Sequence, residues 1–428
     1  MSMYFVSIVW LARTCAASIL ESLPDFPDGT LLYTQYTPTT DELEPLEPIR
    51  WIPRVENREL PELDFRKIEE YQTAVDSLNV LYSPSAIMAG EWVPVNTTSV
   101  MHMNQILANR LDTVVMISEN NPFDMNTPAV VKYQVDLSSS LIHPLITEYV
   151  IMKFINDNSR HLNSPIIPKV FFVSPSVRLV DRRTLKTEFR MKQSPRVSCL
   201  ATGRCPVRYM VMERGGMSLE SLISFCPNHR LPLIDGMRIL RQLFVALKHI
   251  HSLGIIHGDI HRGNIVRSLK DKSSVLLIDF GRSKIYNPQN PYPETPVRPK
   301  EQVATKQFFS HWKLQGYMPS FRDDMFGALY AVAIQTGGRN FGKYMDDAES
   351  QGAREWLIKF FQNEDLFYNP FSRVHTTVYA NHLEEEDRAI VQETLNVIQW
   401  EIGSMTSVND FPKHDLLIGY VDTILSIL

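Results

Sequence analysis

The segment His257-Gly258-Asp259-Ile260-His261-Arg262-Gly263-Asn264, followed after the apolar run 275–278 by Asp279-Phe280-Gly281, holds the side chains best suited to chemistry. An Asp with an Asn a short loop later, and a second Asp closing an apolar strand, is the set that phosphoryl transfer asks for. One carboxylate orients and deprotonates an acceptor hydroxyl, while the Asn oxygen and the other carboxylate hold Mg2+ against a triphosphate. Magnesium is a hard cation that takes oxygen ligands, so Asn and Asp suit it where Cys or His would not. Each residue alone says little, since a loop Asp is more often a turn residue or a helix cap. The ordered combination carries the reading.

Such residues need a frame. Short β-branched and aromatic runs at 100–107, 113–118, 129–135, 167–173 and 208–213 predict strands, interrupted by one helix over 144–156. After residue 215 the pattern turns helical, clearest at Met237, Leu240, Phe244, Leu247 and Ile250 and again at Val391, Leu395, Ile398 and Ile402. The expected fold class is therefore α+β, with a small β-rich lobe over 91–213 and a larger α-rich lobe over 214–428. The apolar stretch 416–428, broken by Asp422, is too short to span lipid and predicts a packed helix.

Composition removes several classes of function. With 428 residues, 44% hydrophobic and 21% charged, the chain has ample apolar material for a folded core. A net charge of −5 gives no electrostatic footprint for duplex nucleic acid. The four cysteines, Cys15, Cys199, Cys205 and Cys226, form no metal-ligand spacing and are too few for a disulfide scaffold. Ahead of the lobes, the apolar run 3–12 followed by Arg13 and Ala16-Ala17-Ser18 has the size and ending of a signal peptide over 1–18. That predicts entry to the secretory pathway, the alternative being a buried element of a cytoplasmic protein. Residues 19–90 form a proline- and acid-rich extension with one amphipathic helix built on Phe65, Ile68, Val75, Leu78 and Leu81 and ended before Pro84. The triplet Asn96-Thr97-Thr98 is a glycosylation sequon of a kind that arises often by chance.

From about residue 97 to about 340 the chain resembles a protein kinase, and within that superfamily the casein kinase I group. The catalytic-loop and Asp279-Phe280-Gly281 segments carry the resemblance. Supporting it are Tyr209-Met210-Val211-Met212-Glu213 with Ser218-Leu219-Glu220-Ser221-Leu222, and Phe321-Arg322-Asp323-Asp324 with Leu329. The resemblance implies a two-lobed fold with ATP between the lobes, Mg2+ as cofactor and a protein serine or threonine as substrate. It assigns Lys132, in Ala129-Val130-Val131-Lys132, to the α and β phosphates, and Glu148 as its partner. Asp259 becomes the catalytic base, and Asn264 and Asp279 the metal ligands. Met212 faces the adenine pocket, Glu213 and Gly215 line the hinge, and Asp324 braces the catalytic loop. A monomer without a stable membrane span is the default expectation.

Departures from the pattern keep two other readings open. No glycine occurs between Gly90 and Gly203, so the loop expected near 108–112 lacks the residues that let backbone amides approach a phosphate. Arg110 is the one cation there. Gly258 stands where most kinases carry an arginine that reads activation-loop phosphate, and His261 stands in place of the catalytic-loop lysine. Imidazole ordinarily titrates near pH 6.5 and is a poor substitute for a fixed charge at neutral pH; Arg262 next door either supplies the missing charge or points to solvent. One alternative is a pseudokinase that binds or scaffolds without turnover. The other is a small-molecule phosphotransferase, whose HGD-x-H-x-x-N-like loop the segment 257–264 also resembles.

Overall fold

The computed structural model describes residues 103–109, 113–118, 121, 123–135, 144–174, 178–181, 204–222, 226, 231–297, 310, 312, 313, 316–337, 380 and 382–428. The expected signal peptide, the extension 19–90 and its helix, the sequon, and Arg110 lie outside the described residues.

The first lobe is a twisted antiparallel sheet of β1 (Met103–Asn109), β2 (Thr113–Ser118), β3 (Ala129–Val135), β4 (Val170–Val173), β5 (Arg178–Asp181) and β6 (Arg204–Glu213). The spatial order is β1-β2-β3-β6-β4, with β5 also paired to β6. Period-two alternation sorts its residues between two faces. Val130, Met210 and Met212 join the main core with Leu145, Ile151 and Ile155 of α1 (Pro144–Asn158). Ala129, Val131 and Val211 pack on the opposite face among Tyr133, Phe171, Phe172 and Tyr209. The register Val130↔Met212 and Lys132↔Met210 puts Lys132 on the α1 side of the sheet.

Differences from the sequence expectation are local. β4 starts at Val170 rather than 167, because Pro168 has no N–H to give a ladder. Its start is pinned instead by the end of α1, where Asn156 accepts from Val170 N at 3.0 Å. β6 begins four residues earlier than expected, at Arg204, because β5 supplies a second partner there.

The second lobe is built on α3 (Leu233–Ser252), which follows the short α2 (Leu219–Leu222). Met237, Leu240, Phe244, Leu247 and Ile250 of α3 are all at 0% exposure, so the helical period read in the sequence is the buried stripe. Against α3 pack α4 (Phe321–Gly337) and α6 (His414–Ile427), with α5 (Glu385–Gly403) resting on α6 and α4. Two ion pairs fasten α3 to α6: Arg241 with Asp422 and Lys248 with Asp415, each at 2.5 Å. Between α3 and α4 run two small hairpin-like pairs, β7 (Ile255–Ile256) with β10 (Lys284–Ile285) and β8 (Ile265–Arg267) with β9 (Val275–Leu277). No helix among the described residues is long and apolar enough to cross a membrane.

Candidate active site

The loop joining β7 to β8 carries Asp259 and Asn264, and β9 ends just before Asp279. The β8–β9 pairing sets Ile265 opposite Leu277, and the Asn264 carbonyl accepts from Ile278 N at 3.0 Å. Strand pairing therefore brings Asn264 to the doorstep of Asp279. The Asn264 amide donates to the Asp259 carbonyl at 2.9 Å, closing the loop on itself through the one-turn 3-10 helix Arg262–Asn264. Asp279 has φ 67° and ψ 67°, the one positive φ on a non-glycine residue among the described residues. A strained, left-handed aspartate of this kind persists only where its surroundings hold it, a situation that recurs at functional sites.

From the first lobe, Lys132 reaches into the same space. Its ammonium donates to both Glu148 oxygens at 2.8 and 2.7 Å and to Asp279 Oδ1 at 2.9 Å. Lys132 is 7% exposed and Glu148 1%. Burial by itself would make the ammonium easier to deprotonate, but the Glu148 and Asp279 carboxylates outweigh it and hold Lys132 charged more firmly than a free lysine. β3, α1 and the β9 end are thus tied through one cation. Phe280, 1% exposed, fills the core beneath α1 and lies 4.5 Å from the His257 ring.

The loop backbone is braced from behind. Asp324, 1% exposed at the start of α4, accepts from His257 N at 2.7 Å and Gly258 N at 2.8 Å. His257 accepts from Asp259 N at Nδ1, 3.2 Å, and its Nε2–H donates to the Ile278 carbonyl at 3.1 Å, which assigns the tautomer. Burial lowers the His257 pKa against the pull of Asp324, Asp259 and Asp279, so the ring is a neutral strut between the two carboxylate-bearing segments. Behind Asp324 a further chain runs outward: His251 Nε2 lies 3.2 Å from Asp324 Oδ2, and His251 Nδ1 lies 2.9 Å from His414 Nε2. Lys313, whose ammonium donates to the Gly258 carbonyl, lines a small polar cavity with Ser310, Asp259, Asp323 and Asp324.

Of the expected hinge residues, Met212 and Glu213 are buried and Gly215 is half-buried, and they are differently employed. Met212 is 7% exposed within the core. The Glu213 carboxylate accepts from Lys169 N at 3.0 Å and pairs with Lys270 at 3.2 Å, so it ties the hinge to neighbouring segments. Gly215 abuts β8: a Cβ there would meet Val266 Cγ2 at 2.5 Å.

Of the catalytic-loop cations expected from sequence, Arg262 turns away. It pairs with Glu220 of α2 at 2.9 Å. His261 stays near, with Nε2 4.0 Å from Asp259 Oδ2 while Nδ1 accepts from Gly263 N at 3.1 Å. Sequence reasoning missed Arg282, whose Nε lies 3.5 Å from the same Asp259 oxygen. Its place directly after Asp279-Phe280-Gly281 was the available sign. It also missed Lys313, for which no local pattern exists.

Asn264 and Asp279 would hold a divalent ion, which would supply positive charge beside a nucleotide's phosphates. Among the described residues no group of three or more His, Cys, Asp or Glu could hold a metal by itself. Asn264 and Asp279 supply only two side chains, which fits Mg2+ completing its shell from phosphate and water. With its amide donated to Asp259, Asn264 keeps its side-chain oxygen as the free ligand atom. The Asp279 side chain is 30% exposed, and Lys132 engages its Oδ1.

A five-pair antiparallel sheet with one braced helix, an α-helical second lobe, and an Asp-Asn-Asp set between them define a protein-kinase-like fold. Residues 202–397 match the protein kinase domain family. The solved structure of vaccinia related kinase 3 superposes with a TM-score of 0.51 at 15% identity, covering 81% of this chain and 95% of that one. A probable serine/threonine-protein kinase of Encephalitozoon cuniculi (strain GB-M1) is 29% identical over 163 residues, which is 36% of this chain and 29% of the relative. One of fowlpox virus (strain NVSL) is 28% identical over 172 residues, 38% of this chain and 56% of the relative. The death-associated protein kinase dapk-1 of Caenorhabditis elegans is 24% identical over 173 residues, 40% and 11% respectively. The aligned part therefore spans well under two thirds of each of these relatives.

Proposed function

We propose that this chain is a serine/threonine protein kinase of casein kinase I-like type, transferring the γ-phosphoryl group of Mg-ATP to a protein hydroxyl. The observation that carries the reading is the meeting of Glu148 and Asp279 on Lys132, at 2.7 and 2.9 Å. That ion pair and the metal-binding Asp must both be in place for phosphoryl transfer. When bound, Mg-ATP supplies the transferable group and the metal charge that offsets its oxygens.

The chain's own residues do the positioning. Lys132, kept charged by its two carboxylates, presents an ammonium for the α and β phosphates. Asn264 and Asp279 offer oxygen to the metal, while Met212, Glu213 and Gly215 line the purine end. Asp259 accepts the proton of the acceptor hydroxyl, with its backbone held by His257 and Asn264. His257 and Asp324 work by fixing the loop. Catalysis here is positioning and electrostatics rather than covalent chemistry. We extend the proposal to passage through the secretory route, on the strength of the apolar run 3–12. N-terminal sequencing of the exported protein starting near residue 19 checks that part.

Two observations favour a second reading, a binding module with negligible turnover: the glycine-free stretch 91–202 and His261 in place of a lysine. The loop 257–264 likewise keeps a small-molecule acceptor in play. The deciding experiment incubates the protein with labelled Mg-ATP, casein and a panel of amino sugars and alcohols, with Asp279→Asn as the blank. Label on casein that disappears in the blank is the expected result. Label on small molecules alone points to the phosphotransferase. A rise in melting temperature with nucleotide but no label anywhere points to the binding module.

A further inference from the structure

The catalytic loop is short of the lysine that the kinase resemblance leads one to expect. The catalytic loop carries His261 in place of a lysine, and Arg262 is committed to Glu220. Among the described residues, the other basic side chains around Asp259 are Lys313 and Arg282, and they are engaged differently. Lys313 donates to the Gly258 carbonyl and lines a small cavity with Asp259, Asp323 and Asp324, so its ammonium is engaged by the loop backbone. Arg282 lies against the Asp259 carboxylate itself, 3.5 Å from Oδ2, with its side chain 47% exposed.

Its backbone packs closely on the catalytic loop, and the next residue is bonded to that loop. Gly258 has φ +75°, and a Cβ there would press on the Arg282 carbonyl at 3.0 Å. The neighbouring Ser283 hydroxyl donates to the His257 carbonyl at 3.1 Å. A side chain at 258 would be strained by the left-handed backbone and would push residue 282 away. The two departures from the kinase pattern are thus physically coupled: the absent side chain at 258 makes room for the residue that brings a guanidinium to Asp259.

We propose that Arg282 supplies the positive charge that a catalytic-loop lysine would give, contacting the phosphoryl group as it passes to the acceptor held by Asp259. This rests on the kinase reading above. In the step, the acceptor oxygen bonds to the γ-phosphorus while the bond from that phosphorus to the β–γ bridging oxygen breaks. The hydroxyl proton goes to Asp259, and ADP leaves with the electron pair. Guanidinium suits the task, since it is always charged and its planar fork matches phosphate oxygens. Placed beside the γ position, it also distinguishes ATP from ADP before any chemistry occurs.

The test uses the full chain as wild type, Arg282→Met, Arg282→Lys and the double variant Arg282→Met/His261→Lys. Two readouts are taken: kcat for phosphate transfer, and the difference in melting temperature between Mg-ATP and Mg-ADP. Arg282→Met should lose roughly 100-fold in kcat, the scale of removing one preorganised charge stabiliser, and should lose the extra stabilisation by ATP over ADP. Arg282→Lys should keep part of both. The double variant should recover kcat at least about tenfold over Arg282→Met, because the lysine returns to the catalytic loop. Arg282→Met with wild-type kcat and an unchanged ATP-over-ADP difference overturns the proposal, as does a double variant with no recovery in either readout. If the wild type binds nucleotide but transfers nothing, the kinase reading falls while the ATP-over-ADP comparison still decides Arg282. If neither nucleotide stabilises the wild type, both fall.

Discussion

Lys132 carries two burdens that mutation can separate. It holds a nucleotide-facing charge, and it also neutralises a buried carboxylate, because Glu148 at 1% exposure has no solvent to turn to. Removing one partner of a buried pair leaves the other charge uncompensated and costs about 3–5 kcal/mol, whereas replacing both by apolar groups is often neutral. Lys132→Met should therefore lower the urea midpoint sharply, and Lys132→Met/Glu148→Leu should regain most of that loss while staying inactive. Equal midpoints for wild type and Lys132→Met would contradict the burial of the pair. At this scale the structure joins Lys132 to Glu148 and Asp279, and Asn264 to the Asp259 carbonyl, all residues that the kinase resemblance singles out. The sequence was uninformative about Arg262 and Arg282, since side-chain direction in a loop depends on what packs against it.

At the scale of elements, the catalytic loop is only as firm as α3 and its partners. α6 lays Leu417, Val421 and Ile424 on α3 and adds the Arg241–Asp422 and Lys248–Asp415 pairs at its rim. The apolar seam, rather than the partly exposed ion pairs, dominates, since pairs in contact with solvent contribute about 0–1 kcal/mol each. Ile424→Ala should cost about 2–5 kcal/mol by the loss of buried methyls and the cavity left behind. Asp422→Asn should cost under about 1 kcal/mol. Urea denaturation of the two variants checks the order, and a larger effect from Asp422→Asn would reverse the assignment. The helical stripes of α3 and α5 were legible because 3.6-residue spacing is local information, and α6 was legible as a short apolar stretch. β5 was not, because its place is set by pairing with β6 across a long stretch of sequence.

Across the whole molecule, a file of neutral histidines links α6 to the catalytic loop. His251 is pushed down to about 3, first by burial and then by His257, and His249 to about 4 by burial and His161. Burial also holds His414 well below its ordinary value. Each of these histidines binds a proton more readily unfolded than folded. Their contribution is whole above pH 6.5, the ordinary histidine value, and is lost as pH falls from there towards 3 or 4. The loss is up to about 1.4 kcal/mol per pH unit for each histidine. The urea midpoint should drop markedly between pH 7.5 and 5.5, and His251→Gln, which keeps a donor for Asp324 but cannot titrate, should show a shallower drop. A wild-type midpoint that does not change over that range would refute the relay as described.

By itself the sequence determined the residue types, their order and the α+β class, and it raised the phosphoryl-transfer set as an expectation, because these depend on composition, on short periodicities and on spacing within single loops. Only the tertiary structure decided which charges meet: Lys132 with Asp279, 147 residues apart, Asp324 with the backbone at 257 and 258, and Arg282 rather than Arg262 at Asp259. The physical reason is that contacts between distant segments follow from how strands pair and helices pack. The linear spacing of residues records neither.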